Sequence, residues 1–377
     1  MKRINYITNL DVNKYSGGWS AMNHHVYEQL ESSGNYSINL IQNVDPPVSL
    51  YRKLISKTKR FLGLKGEFYF YSISRLNKIK REVEMKLDNS ADLDFYHGVT
   101  PWIMIEKVRP YALYLDASFS TYIEVYHEQG IFSVKHLRDI IHKEGIFLKK
   151  AAQVFFSSSW SLEQTKKIYD LTGENFSVAG LGGSIPIPDN CNTNYKKSFL
   201  FVGLDFAGKG GMLVAEAFNS ISKKHKDFNL YFVGGKPPET VLKNPLVKYL
   251  GYFNKSDHHQ FMALQKIFEE AYALVLPTNK DITPLVIVEA GYFGCPSIAV
   301  HNFGIPEMIK DGETGMLVAS PPDSDSLAKA MEKICSDTFL YEKLRLQTHT
   351  HFCSNYTWER TGRKINRILQ SYLTKDE

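Results

Sequence analysis

Short apolar runs alternate with amphipathic segments along nearly the whole chain, and few architectures accommodate such a pattern. Runs that are apolar at successive positions must be covered on both faces, so the expected fold is an α/β protein in which helices wrap parallel sheets. Two wraps are legible. The first begins at INYITNL (4–10), continues through a helix over 19–33 and the strand YSINLI (36–41), and offers LDFYHG (93–98), YALYLD (111–116) and VFFSSS (154–159) as further strands. The second opens with FLFVGL (199–204) and a helix over 211–224. It continues with strands NLYFVGG (229–235), KYLGY (248–252), ALVLPT (273–278) and SIAV (297–300), and with helices over 257–271, 285–293 and 325–335. Between the wraps, SIPIPDNCNTNYKKS (184–198) is rich in Pro, Asn and Ser and has no periodicity, which reads as a linker. The expected organisation is a domain over 1–183, a linker over 184–198, a second domain over 199–357, and a terminal helix within 358–377 that crosses back to the first domain.

A length of 377 residues suits two domains, and 43% hydrophobic with 23% charged residues excludes a disordered chain. Cys191, Cys295, Cys335 and Cys353 lie far apart in sequence, with no C-x-x-C pair. Neither a disulfide framework nor a metal cluster is expected, and a cytoplasmic location fits. No apolar run reaches the roughly 18 residues of a membrane span. The net charge of +5 is unevenly placed: between Arg52 and Lys86 stand eleven Lys/Arg against three Asp/Glu. With Leu54, Ile55, Phe61, Leu62 and Leu64 interspersed, the stretch 52–86 reads either as a solvated helical face or as a surface that lies on anionic lipid or attracts an acidic substrate, the lipid reading placing the protein peripherally on the inner face of the membrane. No nucleic acid partner is expected.

Ligands of open parallel sheets bind at the carboxyl ends of the strands, so the loops 203–211, 234–237, 251–254, 277–285 and 301–306 should face one site. Lys209 within the first of them offers a cation at a helix start suited to a phosphate, and Glu289, near the start of the helix after 277–285, a carboxylate suited to the vicinal hydroxyls of a ribose. Ser16, Gly17 and Gly18 follow the first strand, where glycines permit close backbone approach to phosphate, although no G-x-G-x-x-G dinucleotide fingerprint is present. His97 and Asp116 end two strands of the first wrap and should reach its ligand. Asp92-Leu93-Asp94 reads as a loop, and His24, His25, Tyr122, Tyr126 and His127 as packing or surface groups. Without a G-x-S-x-G elbow, a Ser-His-Asp hydrolase is unsupported.

The window PTNKDITPLVIVEAGYFGCPSIAVHNFGIPEMIKDGETGMLV (277–318) carries two acids eight positions apart, Asp281 and Glu289. Ala290, Gly294, Pro296, Gly304, Pro306, Glu307, Asp311, Gly312 and Gly315 follow in order. This composite resembles the retaining glycosyltransferases of family 4 (GT4). The resemblance implies a GT-B fold, two Rossmann-like parallel-sheet domains facing a central cleft, with the acceptor on the first domain and a UDP- or GDP-sugar on the second. It implies that Glu289 holds the nucleotide ribose, Asp281 the donor-sugar hydroxyls and Lys209 the diphosphate. Tyr252 and Phe253 are expected at the nucleobase, and Gly17, Gly18, Gly203, Thr283 and Leu285 in the rest of the donor site. His97 and Asp116 lie on the acceptor side, Asp116 with a catalytic role beside Lys209 and Asp281. The departing diphosphate takes the acceptor proton, so neither a metal nor another cofactor is implied. A saccharide or lipid-linked saccharide would be the acceptor, as in cell-surface polysaccharide or glycoconjugate synthesis. Three positions depart from the family pattern: Asp281 for Glu, Pro284 for Gly and Leu204 for Arg. They support the alternative of a weakened GT-B scaffold or partner subunit.

Overall fold

The computed structural model describes residues 1–14, 17–106, 108–128, 130–191 and 194–374. Two compact units result, one built on Trp19–Gly180 with the N-terminal strand and the chain from Thr361 onward, the other on Leu181–Arg360. Each is described by itself.

The first unit holds six parallel strands, β1 (Lys2–Ile7), β2 (Tyr36–Ile41), β3 (Leu93–His97), β4 (Tyr111–Leu115), β5 (Gln153–Phe156) and β6 (Phe176–Val178). Their order is β2-β1-β3-β4-β5-β6. Every residue of β3 and β4 is buried, which is why their sequences run apolar without alternation, whereas edge strand β2 is buried only at its two ends. Tyr96, Trp102, Phe119 and Phe156 are among the largest side chains shut from solvent, each contributing about 1.5–3 kcal/mol relative to exposure. The sequence reading of Asp92–Asp94 as a loop is corrected here. Asp94 is a buried member of β3, accepting from Asn5 Nδ2 at 2.7 Å and lying 3.7 Å from Arg109. Strand β6 escaped the sequence reading because three residues are too few to show a period. Chain order reverses between β1 and β3, so their carboxyl ends, with the loop after Ile7 and the turn after His97, flank a topological switch point.

The second unit holds β7 (Ser198–Gly203), β8 (Asn229–Gly234), β9 (Val247–Gly251), β10 (Ala273–Leu276), β11 (Ser297–Val300) and β12 (Gly315–Val318), again all parallel, ordered β12-β11-β10-β7-β8-β9. This is the doubly wound arrangement, and its switch point lies between β7 and β10. Gly203 pairs with Gly234, and a Cβ at Gly234 would stand 2.5 Å from the Gly203 carbonyl, so the two strand ends approach as only glycine allows. β12 and the helix Thr338–Asn355 were not legible as elements. The stretch expected to be a free linker is anchored at its start: Ser184 is buried and Gly183 N donates to the Tyr292 hydroxyl at 2.8 Å. The terminal helix Trp358–Leu373 spans the residues its pattern suggested, and in the first unit Asn366 Nδ2 donates to the Gln29 carbonyl at 3.1 Å.

Candidate functional site

At the switch point of the second sheet, the turn after β7 carries Lys209 and the loop after β10 carries Asp281. Asp205 Oδ1 accepts from Gly208 N at 2.8 Å, tightening a turn that passes through Gly210 (φ 80°) into the helix Gly211–Ile221. Lys209 folds back over Gly203, where an added Cβ would meet the lysine Cδ at 2.6 Å. Gly203 therefore makes room for the lysine stem. Lys209 Nζ reaches Asp281 Oδ2 at 3.0 Å, and Thr278 Oγ1 donates to the same oxygen at 2.9 Å. The structure thus joins the cation and the acid that the sequence placed 72 positions apart.

Glu289 sits in the second turn of the helix Leu285–Tyr292 and is 3% exposed. Its Oε1 accepts from Lys255 Nζ at 2.5 Å, from Ser184 N at 3.2 Å and from the Ser184 hydroxyl. Lys255 Nζ also donates to Ser184 Oγ at 2.8 Å. Burial pushes the Glu289 carboxyl up, but the Lys255 ammonium and the Ser184 donors outweigh it, and the net shift is downward. The group is held ionised in a dry setting by a counterion. Oε2 accepts no hydrogen bond among the described residues, leaving a charged oxygen for a ligand hydroxyl.

The remaining donor-side expectations divide. Tyr252 is 51% exposed just past β9 and Phe253 is half-buried. Thr283 and Leu285 are each 5% exposed, so their side chains belong to the packing that supports the loop. Pro284 caps the helix, its carbonyl accepting from Ile287 N at 3.0 Å. Leu204, in the place of a cation, is 70% exposed. Asp311 is a structural residue of its turn, its Oδ1 accepting from Leu317 N at 2.8 Å. Sequence reasoning missed Lys255 and Ser184. The strand-end rule pointed to 251–254 and stopped one residue short of Lys255, whereas Ser184 fell in a stretch dismissed as linker.

Gly17 and Gly18 take φ of 130° and 53° at the opening of the helix Gly18–Glu31; Ser16 lies outside the described residues. The carboxyl ends of β3 and β4 border a cavity of about 430 Å³ lined by Trp19, Tyr71, His97, Asp116, Tyr122 and Tyr126, among others. His97 and Asp116, predicted from their strand-end positions, meet there. Tyr122 and Tyr126, read from the sequence as packing or surface groups, are a partly exposed pair whose rings pack 5.3 Å apart and also line this wall. The His97 ring is stacked between Trp19 (centroids 3.9 Å apart) and Tyr114 (5.9 Å), and burial pushes its pKa down to about 3, so it is neutral. Ser157 Oγ donates to Asp116 Oδ1 at 2.6 Å. Behind the cavity wall, fully buried Glu144 accepts from Thr100 Oγ1 at 2.7 Å, Phe119 N at 2.7 Å and the Tyr169 hydroxyl at 2.9 Å. Desolvation pushes Glu144 up to about 7, against the pull of those three donors. On the helix Gly18–Glu31, His24, His25 and Glu28 bring ligand-type atoms within 4.8 Å of one another, a grouping the sequence reading passed over.

Residues 190–350 match the family model of glycosyl transferases group 1. YtcC of Bacillus subtilis, named as a glycosyltransferase, is 28% identical over 189 residues, covering 48% of this chain and 46% of that protein. The chain thus spans less than half the length of the first curated relatives it matches. Among solved structures, sucrose-phosphate synthase from Thermosynechococcus elongatus superposes with a TM-score of 0.74 at 16% identity, covering 98% of this chain and 99% of its own. Anabaena HepE in complex with UDP and glucose gives 0.63 at 15% identity, covering 98% and 100%.

Proposed function

We propose that this chain, which has the GT-B fold and whose residues 190–350 match glycosyl transferases group 1, is a GT4-type glycosyltransferase that transfers a sugar from a nucleotide-diphosphate sugar to a hydroxyl acceptor with retention of configuration. The observation that carries the reading is Glu289: a buried carboxylate, kept ionised by Lys255, with Oε2 open to a ribose hydroxyl. A hydrogen bond to such a charged acceptor is worth about 1.5–3 kcal/mol. Lys209 supplies positive charge for the departing diphosphate, and Asp281, fixed by Lys209 and Thr278, presents its carboxylate to donor-sugar hydroxyls. No metal is required in this scheme, since the charge of the leaving group falls on a lysine. A UDP-sugar is the favoured donor, in keeping with the nucleotide named in the HepE complex.

Glu289→Ala is expected to weaken UDP-sugar binding at least about tenfold, while Lys209→Ala lowers turnover with a smaller change in affinity. Calorimetric titration with UDP-glucose, followed by initial-rate kinetics, checks both; unchanged values in the two variants would overturn the assignment. The scaffold alternative draws on exposed Leu204, and the same titration decides it, because a non-catalytic subunit built on an eroded donor site would bind no nucleotide.

The acceptor is taken to be a saccharide or lipid-linked saccharide met at the membrane surface. In the helix Leu50–Phe61 only Ser56 is buried, and Leu50, Leu54 and Phe61 are 79%, 65% and 90% exposed beside Lys53, Lys57, Lys59 and Arg60. Among the described residues no helix is long and apolar enough to cross a bilayer, so contact would be peripheral. Replacing Lys57, Lys59 and Arg60 by Glu is expected to abolish co-sedimentation with anionic vesicles; undiminished sedimentation would refute the contact.

A further inference from the structure

Charge and hydrogen-bond accounting around the cavity of the first unit point to the kind of molecule it accepts. Its wall is aromatic on several sides, with Trp19, Tyr71, Tyr122 and Tyr126 offering ring surface. Such surface suits the C–H faces of a pyranose ring, as mixed apolar and polar linings suit small-molecule ligands generally. Hydroxyl groups find Asp116, Asn9 and the neutral imidazole of His97, whose two ring nitrogens have no hydrogen-bond partner of good geometry although the side chain is fully buried.

An anion is poorly served. Among the described lining residues there is no lysine or arginine; Asp116 lies in the wall and Glu144 behind it, and the Arg75 guanidinium near Tyr71 is already paired with Asp45. The helix Phe119–Tyr126 opens on the cavity, and a free helix start attracts phosphate. This one is already engaged. Phe119 N donates to Glu144 Oε1 at 2.7 Å, Ser120 N to the Tyr169 hydroxyl at 3.4 Å, Thr121 N to Ser118 Oγ at 3.5 Å and Tyr122 N to the Ser118 carbonyl at 2.9 Å. The amides that would recognise a phosphate or carboxylate are internally satisfied, and a carboxyl group stands behind them. A volume of about 430 Å³ falls in the range of small-molecule sites, about 300–1,000 Å³.

We propose that this cavity, on the side that the proposed function gives to the acceptor, selects an uncharged mono- or disaccharide unit over phosphorylated or uronic sugars. The proposal deepens the transferase reading and rests on it for the word acceptor; the charge selectivity stands on the cavity alone. It is tested without nucleotide by saturation-transfer NMR and calorimetry on the full chain. The probes are methyl glucopyranoside and a neutral disaccharide set against glucose 6-phosphate and methyl glucuronoside. The neutral probes should bind about tenfold or more tighter than their anionic counterparts, and Trp19→Ala should remove the difference by abolishing neutral binding. Tyr122→Arg, at a position 39% exposed whose ring meets the core edge-on at Phe68 (centroids 6.3 Å apart), adds a cation at the rim and should raise affinity for the anionic probes selectively. Equal or tighter binding of the anionic sugars, neutral binding indifferent to Trp19→Ala, or no binding of either class would each overturn the proposal. Failure of UDP-glucose to bind the native protein would instead strike the transferase reading, leaving the sugar selectivity as measured.

Discussion

Replacing Lys255 by methionine is expected to destabilise the second unit by about 3–5 kcal/mol, because it strands Glu289 as a buried charge with no counterion. The side chains of the pair are 10% and 4% exposed, so solvent screening does little to soften the loss. Hydrogen exchange across the helix Leu285–Tyr292 and the thermal midpoint of the second unit measure it. A loss below about 1 kcal/mol would mean that the pair behaves as a solvated surface bridge. Nucleotide binding should acquire a pH dependence in the same variant. In the native protein the Glu289 carboxyl lies below its ordinary value, so its ionic contribution is present above the unfolded pKa of 4.5 and lost as pH falls through the folded one. With Lys255 gone, desolvation is opposed only by the two Ser184 donors, and Tyr292, the neighbouring titratable group on the same helix, is uncharged. The carboxyl then titrates at higher pH, and UDP-sugar affinity declines on acidification at a higher pH than in the native protein. Adding Glu289→Gln to Lys255→Met should restore much of the stability and none of the binding, which separates the two roles.

Glu144 should give the first unit the opposite pH dependence. Its folded pKa of about 7 lies above the ordinary 4.5, so the folded state holds a proton that the unfolded chain has released. Stability is therefore fully present below about 4.5, falls as pH rises towards about 7, and levels off beyond. The difference corresponds to about 3 kcal/mol over that window. Glu144→Gln should flatten the slope. A glutamine oxygen still accepts from Phe119 N and the Tyr169 hydroxyl, and its amide can donate to Thr100 Oγ1, so the fold is kept. Denaturant unfolding at pH 5 and pH 8 provides the check; a slope that persists in the variant would mean that other groups carry it.

How much of this was written in the sequence depends on the range of the interaction concerned. Buried parallel strands such as β3 and β4 declare themselves because both faces must be apolar, and the terminal helix because its pattern is strongly amphipathic. The three-residue β6 contains too little sequence to show a period, and β12 opens on a glycine directly after the turn 311–314, so both are recognised only by their partners in the sheet. At the donor side, Lys209, Asp281 and Glu289 stood out by type and spacing at strand ends. The counterion of Glu289 did not, because Lys255 and Ser184 come from segments 34 and 105 positions away. In the first unit, strand ends announced His97 and Asp116. That Tyr122 and Tyr126, surface-packing rings as expected, also line a cavity was not legible, because they lie on a short helix whose facing surface only the tertiary structure fixes. Glu144 lay on a helix that carries other charges, and nothing local marked it as the one facing inward.

Tyr292 lies one turn beyond Glu289, its hydroxyl accepting from Gly183 N at 2.8 Å and donating to the Tyr356 carbonyl at 2.5 Å. This single phenol staples the entry of the second unit to its exit, and that bears on how the protein can be dissected. A fragment beginning at Ser198, the first residue of the sheet, would strip the carboxylate of its serine and cut one end of the staple. A fragment running from Leu181 through Arg360 retains both and is the natural piece for testing the proposed nucleotide recognition in isolation.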